Sequence, residues 1–294
     1  MSLRIGTRGS QLALAQTERV CKALAQIGIE VETAVIRTKG DTNTGVPLHE
    51  IGGQGVFVRA LDEAIIDGTI DAAVHSMKDI PAKRPRGVVT GAVLTRDSPA
   101  DYLAYEGNIA DVRVVGTSST RRRAQLLRHD PEIDVRQLRG NVDTRLHKMR
   151  EKEYDAIVLA EAGLERLGYT VKGQRLPTSQ FVPSPNQGTI AVVCRNSPEI
   201  IEMIQPLDDP QTRMDVGIER IIMEEVGGGC FTPQGIYCRD GHLIAEVLAL
   251  DGSRNVRVEE EITTADEARE CGRKLRTDAG DLIREAYKQL GIMP

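Results

Sequence analysis

The chain has 294 residues, longer than one ordinary domain, and its length points to two or three. Apolar residues make up 40 % and charged residues 28 %, which excludes a disordered or collagen-like chain, and no apolar run reaches the ~20 residues of a membrane-spanning helix. Aromatics at 3 %, no Trp and a net charge of -5 argue against an aromatic nucleic-acid platform and against any global attraction to polyanions. Anion binding therefore has to come from local clusters of arginine.

The first third alternates strand and helix signals. Leu3 to Gly6 reads as a short buried strand, Ser10 as an N-cap, and Leu14, Val20, Cys21, Leu24 and Ile27 follow at helical spacing. Val31 to Arg37 is a second strand, and Thr38 to Gly55 is a Gly-rich polar run too long for a tight connection. Val56 to Asp67 is helical, and Ala72 to Val74 is a buried strand running into His75-Ser76-Met77-Lys78-Asp79. A second alternating unit takes Val112 to Val115, Ile133 to Leu138 and Ala156 to Ala160 as strands, with helices at Thr120 to Arg128 and Val142 to Glu151. Pro177 to Pro185 reads as a crossing segment, and Thr189 to Cys194 supplies one more strand. The last part changes character: a helix from Asp215 to Val226, three glycines, then strands at Gly235 to Tyr237, Leu243 to Leu250 and Val256 to Ile262. Asp251-Gly252 reads as the turn between the last two, and a Thr264/Glu267 capping box opens one long helix through Ala286. No internal repeat is visible in the sequence.

Three stretches carry chemistry. In Gly116-Thr117-Ser118-Ser119-Thr120-Arg121-Arg122-Arg123 a strand ends, small hydroxyl residues turn the chain and a helix begins with three arginines. Free N–H groups and the helix dipole favour an anion there, and arginine forks hold carboxylate or phosphate oxygens. A solvated basic face or an RNA patch is the competing reading. His75 to Pro81 lies at the carboxyl end of a strand, where ligands of α/β sheets bind, with Lys78 and Asp79 as cation and acid; exposed loop charges are the alternative. Gly227-Gly228-Gly229-Cys230 presents a thiol with little steric cover, against the bland reading of a buried inert cysteine. Five cysteines without a C-x-x-C pair make a disulfide framework or a zinc site a poor reading, so no metal is expected, and Cys21, Cys194, Cys238 and Cys271 read as structural thiols. Arg4 and Arg8 interrupt any amino-terminal apolar core, so the cytosol is the expected compartment.

Taken together, these stretches resemble the porphobilinogen deaminase (hydroxymethylbilane synthase) family over nearly the whole chain. The resemblance rests on Gly6 to Ser10 with Leu12 to Gln16, Ala73 to Asp79, Gly116 to Arg122, Leu138 to Val142 with Thr144-Arg145, Ala162 to Gly168, Gln187-Gly188 and Gly228 to Cys230. It implies two α/β domains like those of periplasmic binding proteins flanking a cleft, and a smaller C-terminal α+β domain. These would be residues 1–95 with 188–207, residues 98–183, and residues 211–294, in a monomer. It implies a dipyrromethane cofactor attached covalently through Cys230, onto which four porphobilinogen units are condensed with loss of ammonia before water releases hydroxymethylbilane. It implies that Asp79 is the catalytic carboxylate, helping to protonate the leaving amine and to stabilise a positive pyrrole nitrogen. Ser76, Lys78, Thr117, Ser119, Arg121, Arg122 and Arg145 would bind cofactor, and Arg8, Ser10, Gln16, Arg139, Arg166 and Gln187 substrate.

The chain departs from the family pattern at Gln54, Arg59 and Ala60, where the family often has lysine, lysine and glutamate, and at Pro185-Asn186, where it usually has small residues. The Gln54 change puts in question the part of the 38–60 region in carboxylate binding. A non-enzymatic module binding a small polyanion is the second functional reading, and a nucleic-acid binder resting on Arg121 to Arg128 the third. Neither nucleic acid nor membrane is expected as a partner.

Overall fold

The computed structural model describes residues 2–36, 56–82, 84–227 and 231–291. The Gly-rich run 38–55, with Gln54, and Cys230 lie outside the described residues. The chain divides into two compact units, Met1–Asp97 with Gly188–Arg213, and Ser98–Gln187 with Met214–Pro294.

The first unit is a five-stranded sheet. Its strands are β1 (Ser2–Thr7), β2 (Glu30–Val35), β3 (Ala72–Ser76), β4 (Val88–Val93) and a strand that returns late in the chain, Ile190–Arg195. The spatial order is β2, β1, β3, the returning strand, then β4. β1 runs parallel to β2 and β3, whereas the returning strand is antiparallel to both neighbours. Helices α1 (Gln11–Gln26) and α2 (Val56–Ile66) connect the parallel strands. Val20 and Leu24 of α1 close on Leu3, Ile5 and Val74, all nearly solvent-free. Each such side chain stabilises the sheet by about 1.5–3 kcal/mol. β4 was not legible in the sequence, since Thr90-Gly91 breaks its apolar run; Gly91 is needed because a Cβ there would lie 2.9 Å from Cys194 Sγ.

The second unit holds two sheets. The larger uses β5 (Asp101–Tyr105), β6 (Val114–Gly116), β7 (Asp134–Arg136), β8 (Ala156–Ala160) and β9 (Gly173–Arg175), in the order β7-β6-β8-β5-β9. Helices α3 (Thr120–His129), α4 (Val142–Arg150) and α5 (Glu161–Leu167) connect them. β6 is parallel to β7 and β8, and β5 is antiparallel to β8 and β9. This is the first unit's pattern again: three parallel strands, one antiparallel strand beside them, one at the edge. The repeat that the sequence hides is thus present in the topology.

With the returning strand as β10 (Ile190–Arg195), helix α6 (Pro198–Ile204) completes the first unit. α7 (Pro210–Val226) begins earlier than the apolar spacing indicates, with proline at its start, where a missing N–H costs nothing. It packs Ile218, Ile222 and Val226 on the meander β11 (Gln234–Arg239), β12 (His242–Leu248) and β13 (Asn255–Glu261). Asp251-Gly252 is not a two-residue hairpin turn. It sits inside a wider connection closed by the Ala249 N–H on the Arg254 carbonyl, at 2.8 Å. The expected single terminal helix is two, α8 (Ala265–Asp278) and α9 (Gly280–Leu290), parted at Ala279-Gly280, with the Thr264/Glu267 capping box in place. Gly and Asp are poor helix formers at that junction. Among the described residues no helix is long and apolar enough to cross a membrane. Cys194, Cys238 and Cys271 are buried free thiols, and burial pushes Cys194 and Cys271 up to about 11.

Candidate functional site

In the first unit, β1 and β3 are parallel neighbours, Gly6 opposite Ala73, so their carboxyl ends share one edge of the sheet. That edge gathers Arg8, Ser10, Gln16 and the Ser76–Asp79 segment. Gly6 makes the approach possible, because a Cβ there would lie 2.4 Å from Ile70 and 2.9 Å from Leu61. Ser10 caps α1, accepting from the Ala13 N–H at 3.3 Å. The buried Gln16 donates its Nε2 to Ser76 Oγ at 2.9 Å, and the serine hydroxyl faces Gln16 Oε1 at 3.3 Å. This pair ties the first helix to the end of β3. Met77–Asp79 then form one 3₁₀ turn that leaves Lys78 half-buried and Asp79 exposed.

The first unit also holds a buried acid. Asp62 of α2 pairs with Arg84 at 2.5 Å, and burial pushes its carboxyl up to about 6 against the opposing pull of Arg84. His75 is buried, and its Nε2 has no hydrogen-bond partner among the described residues. Burial, then Arg84 and Arg8, push it down to about 3, so its imidazole is neutral at pH 7.

In the second unit the equivalent edge holds Thr117, Ser118 and Ser119 after β6, Arg139 after β7 and Arg166 on α5 after β8. Gly116 is the counterpart of Gly6: a Cβ would meet Tyr154 at 2.8 Å and Leu138 at 2.9 Å. Thr117 is buried, its hydroxyl accepting from the Ser119 N–H at 3.2 Å. Ser119 caps α3 by accepting from the Arg122 N–H at 3.4 Å.

The first two arginines of the run do not lie on a solvated face, whereas Arg123 is exposed. Arg121 is 4 % exposed, and its Nη1 donates to Asp101 Oδ2 at 2.7 Å, Gln125 Oε1 at 2.9 Å and the Val182 carbonyl at 3.0 Å. Arg122 donates Nε and Nη2 to Asp101 Oδ1 at 3.1 and 2.7 Å, and Nη1 to the Val158 carbonyl at 2.9 Å. Arg123 donates to the Val135 carbonyl at 2.7 Å. Gln187 completes the set, its Nε2 reaching Asp101 at 2.8 Å and the Pro99 carbonyl at 2.8 Å. Burial alone would raise the Asp101 carboxyl, but Arg121 and Arg122 outweigh it and hold it well below the carboxylate range. Arg121 and Arg122 are thus committed inside the protein.

The cations nearer the surface are different. Arg145 is half-buried, and its Nε donates to the Gly140 carbonyl at 2.8 Å. Burial, then the neighbouring Arg122, push it down to about 10. Arg122 is neutralised by Asp101, whereas Arg145 pairs with no acid among the described residues, and a half-buried guanidinium of this kind near the N-terminus of α3 suits a ligand that brings its own carboxylates. A dipyrromethane with acidic side arms fits this donor set. Arg139 and Arg166 are likewise half-buried. Asn186, which departs from the family pattern, has φ 64°, in the left-handed region that Gly and Asn tolerate best, so the substitution suits its backbone.

Sequence reasoning singled out the cations but not the buried acids and amides that hold them. Asp101, Gln125 and Glu246 carry no motif, and Asp101 lies in a strand with few apolar residues to reveal it.

The family model described as "Porphobilinogen deaminase, dipyromethane cofactor binding domain" matches residues 3–203, and that of the porphobilinogen deaminase C-terminal domain matches 214–280. A probable porphobilinogen deaminase of Methanosarcina acetivorans is 48 % identical over 302 residues, covering 97 % of this chain and 95 % of the relative. One of Archaeoglobus fulgidus is 44 % identical, over 95 % of this chain and 99 % of its own. The porphobilinogen deaminase of Syntrophobacter fumaroxidans is 39 % identical, over 97 % and 98 %. Among solved structures, the methionine binding protein MetQ shares 11 % identity at a TM-score of 0.45, covering 70 % of this chain and 89 % of that one. On the family models and the near full-length relatives, the chain belongs to the porphobilinogen deaminase family of enzymes.

Proposed function

We propose that the protein is a hydroxymethylbilane synthase, a transferase of tetrapyrrole and haem biosynthesis. It joins four porphobilinogen molecules head to tail with loss of ammonia, and water then releases the linear product. The observation that carries the reading is the half-buried Arg145, beside Arg122 and near the capped start of α3, in a chain of this family.

A dipyrromethane tethered to Cys230 supplies a pyrrole carbon to which the first substrate is joined. Arg145, with Thr117 and Ser119, would hold its carboxylates, Arg121 and Arg122 would set the helix start behind them through Asp101, and Lys78 and Ser76 would assist. Arg8, Ser10, Gln16, Arg139, Arg166 and Gln187 bind the incoming porphobilinogen. Asp79 holds the proton at the substrate's aminomethyl nitrogen as ammonia departs, and its carboxylate stabilises the positive charge left on the pyrrole nitrogen. Its exposure leaves it within reach of a ligand. Covalent tethering makes each condensation effectively intramolecular. The same reading divides the chain into three domains, at 1–95 with 188–207, 98–183 and 211–294, in a cytosolic monomer.

The test is to incubate the protein with porphobilinogen and measure its intact mass and the ammonia released. A gain of two linked pyrrole units mapping to Cys230, then single-unit increments with ammonia, is the expected result. Asp79→Asn should keep the adduct and lose turnover by about 10²–10⁴-fold. Cys230→Ser should fold and retain no adduct. Binding without ammonia release would favour the polyanion-binding module.

A further inference from the structure

The second unit contains a buried carboxylate that the proposed reaction does not use. Glu246 lies on β12 with no exposed surface. Its Oε1 accepts from Gln125 Nε2 at 2.9 Å, and its Oε2 from Arg128 Nη1 at 2.7 Å, both on α3. Arg257 of β13, its partner in the ladder, stands 3.6 Å away. Gln125 is fixed by both ends of its amide: the nitrogen also donates to the Val182 carbonyl at 2.9 Å, and the oxygen accepts from Arg121. Three bonds therefore connect Glu246 to Arg121 and Asp101 without an exposed member.

The backbone supports the same coupling. Gly252, at φ 75°, lies against α3 so closely that a Cβ would stand 2.4 Å from the Ala124 carbonyl oxygen and 2.5 Å from the Arg128 nitrogen. Across the ladder from Glu246 is Gly235, on the strand that follows Cys230 in the chain. The carboxyl-terminal sheet thus grips the middle and the end of the helix whose start carries Ser119, Arg121 and Arg122. A buried carboxylate with an amide and two cations is costly to assemble, and packing alone does not require one here.

We propose that Glu246 is a positioning residue, holding α3 in register with the carboxyl-terminal sheet through Gln125 and Arg128, so that the carboxylate-binding start of the helix is set relative to the strand that follows Cys230. The inference rests on the proposed function for its kinetic consequence, and on geometry alone for the helix. Removing the charge while keeping the shape frees the Gln125 amide to turn, loosens Arg121, and weakens binding of the acidic substrate without touching Asp79.

The experiment compares the full chain with Glu246→Gln and Arg257→Met, the latter removing a cation from the same carboxylate on the sheet side only. Amide hydrogen exchange at residues 117–123 and the porphobilinogen concentration giving half-maximal mass uptake are both read, with melting temperature and turnover at saturation. The expected result for Glu246→Gln is exchange at 117–123 and half-saturation both raised about tenfold, with turnover at saturation within twofold. Arg257→Met should lower the melting temperature and leave both readouts unchanged. Unchanged exchange at 117–123 in Glu246→Gln overturns the proposal, as does faster exchange with unaltered half-saturation. Should the unsubstituted chain take up no porphobilinogen, the proposed function falls and the exchange readout alone decides the positioning.

Discussion

The two larger sheets follow one plan and spend it differently. Each sends its first parallel strand into a Gly-Thr turn and a serine-capped helix, Gly6 to Ser10 in the first unit and Gly116 to Ser119 in the second. In the first unit the acid at the sheet edge, Asp79, is exposed on a single 3₁₀ turn, while Asp62 and His75 are buried. In the second, Arg121 and Arg122 face inward and are spent on Asp101, while the half-buried Arg145 pairs with no acid among the described residues. An exposed acid can exchange protons with a ligand. A preorganised buried cation network instead fixes a helix end and its field, at no reorganisation cost when an anion arrives. Under the proposed function, the same topology would serve as a reactive edge in one unit and a rigid binding edge in the other.

The contrast is most easily broken at Asp101. Asp101→Asn keeps the shape but leaves Arg121 and Arg122 uncompensated, and should cost about 3–5 kcal/mol of stability. Arg19→Gln in the first unit removes the partner of Asp97 from a pair whose arginine is 44 % exposed, and should cost less than about 1 kcal/mol. Urea unfolding of the two variants measures the difference; equal costs would mean that the second unit is no more preorganised than the first. The sign with pH follows from the depressed Asp101 carboxyl. Its contribution is complete above the unfolded value of 3.8 and is lost as the pH falls below it.

The sheet pattern was legible where one period dominates. Val20 and Leu24 on α1 and the Ala156–Ala160 run announce a helix face and a buried strand, and both fold so. β5 and β9 were not legible. Asp101 and Tyr102 interrupt the apolar run of β5, and β9 is only Gly173 to Arg175, whose glycine passes 2.2 Å from the Leu103 carbonyl if given a Cβ. The site was legible as a set of residue types at strand ends. Which arginines are spent internally was not, because their partner Asp101 is twenty residues earlier and in another element. Pairing at that distance leaves no local signature.

A smaller effect separates the buried groups of the first unit from those of the second. His75 is held at about 3 against 6.5 when unfolded, so between those values the unfolded chain binds a proton that the folded chain refuses. Stability from this group is therefore complete above pH 6.5 and falls as the pH drops toward 3. From pH 7.5 to pH 5 the loss is about 2 kcal/mol. Asp62, pushed up to about 6, works in the opposite sense, so the comparison is made between the natural chain and His75→Gln, in which Asp62 is common to both. The stability gap between them should narrow by about 2 kcal/mol over that range; a constant gap would place His75 in a wetter setting than its burial indicates.

The two serine caps sharpen the comparison at its finest scale. Ser10 and Ser119 each accept a backbone N–H three residues on, so replacing either with alanine should cost about 1 kcal/mol in stability. Thr264→Ala sets the baseline, since Thr264 caps α8 through the Glu267 N–H at 3.2 Å and has no part in the proposed binding. If capping is the whole role of the serines, all three variants lose similar stability and share an unchanged KM for porphobilinogen. The expected result is a KM raised several-fold in Ser119→Ala, because the hydroxyl stands at the start of a helix flanked by Arg122 and its like-charged neighbour Arg145. The rise should be smaller in Ser10→Ala, whose helix has no cation in its first turn and whose neighbouring Gln16 is already engaged by Ser76. Equal rises at both serines would mean that the neighbouring arginines add nothing to anion binding beyond what any capped helix start provides.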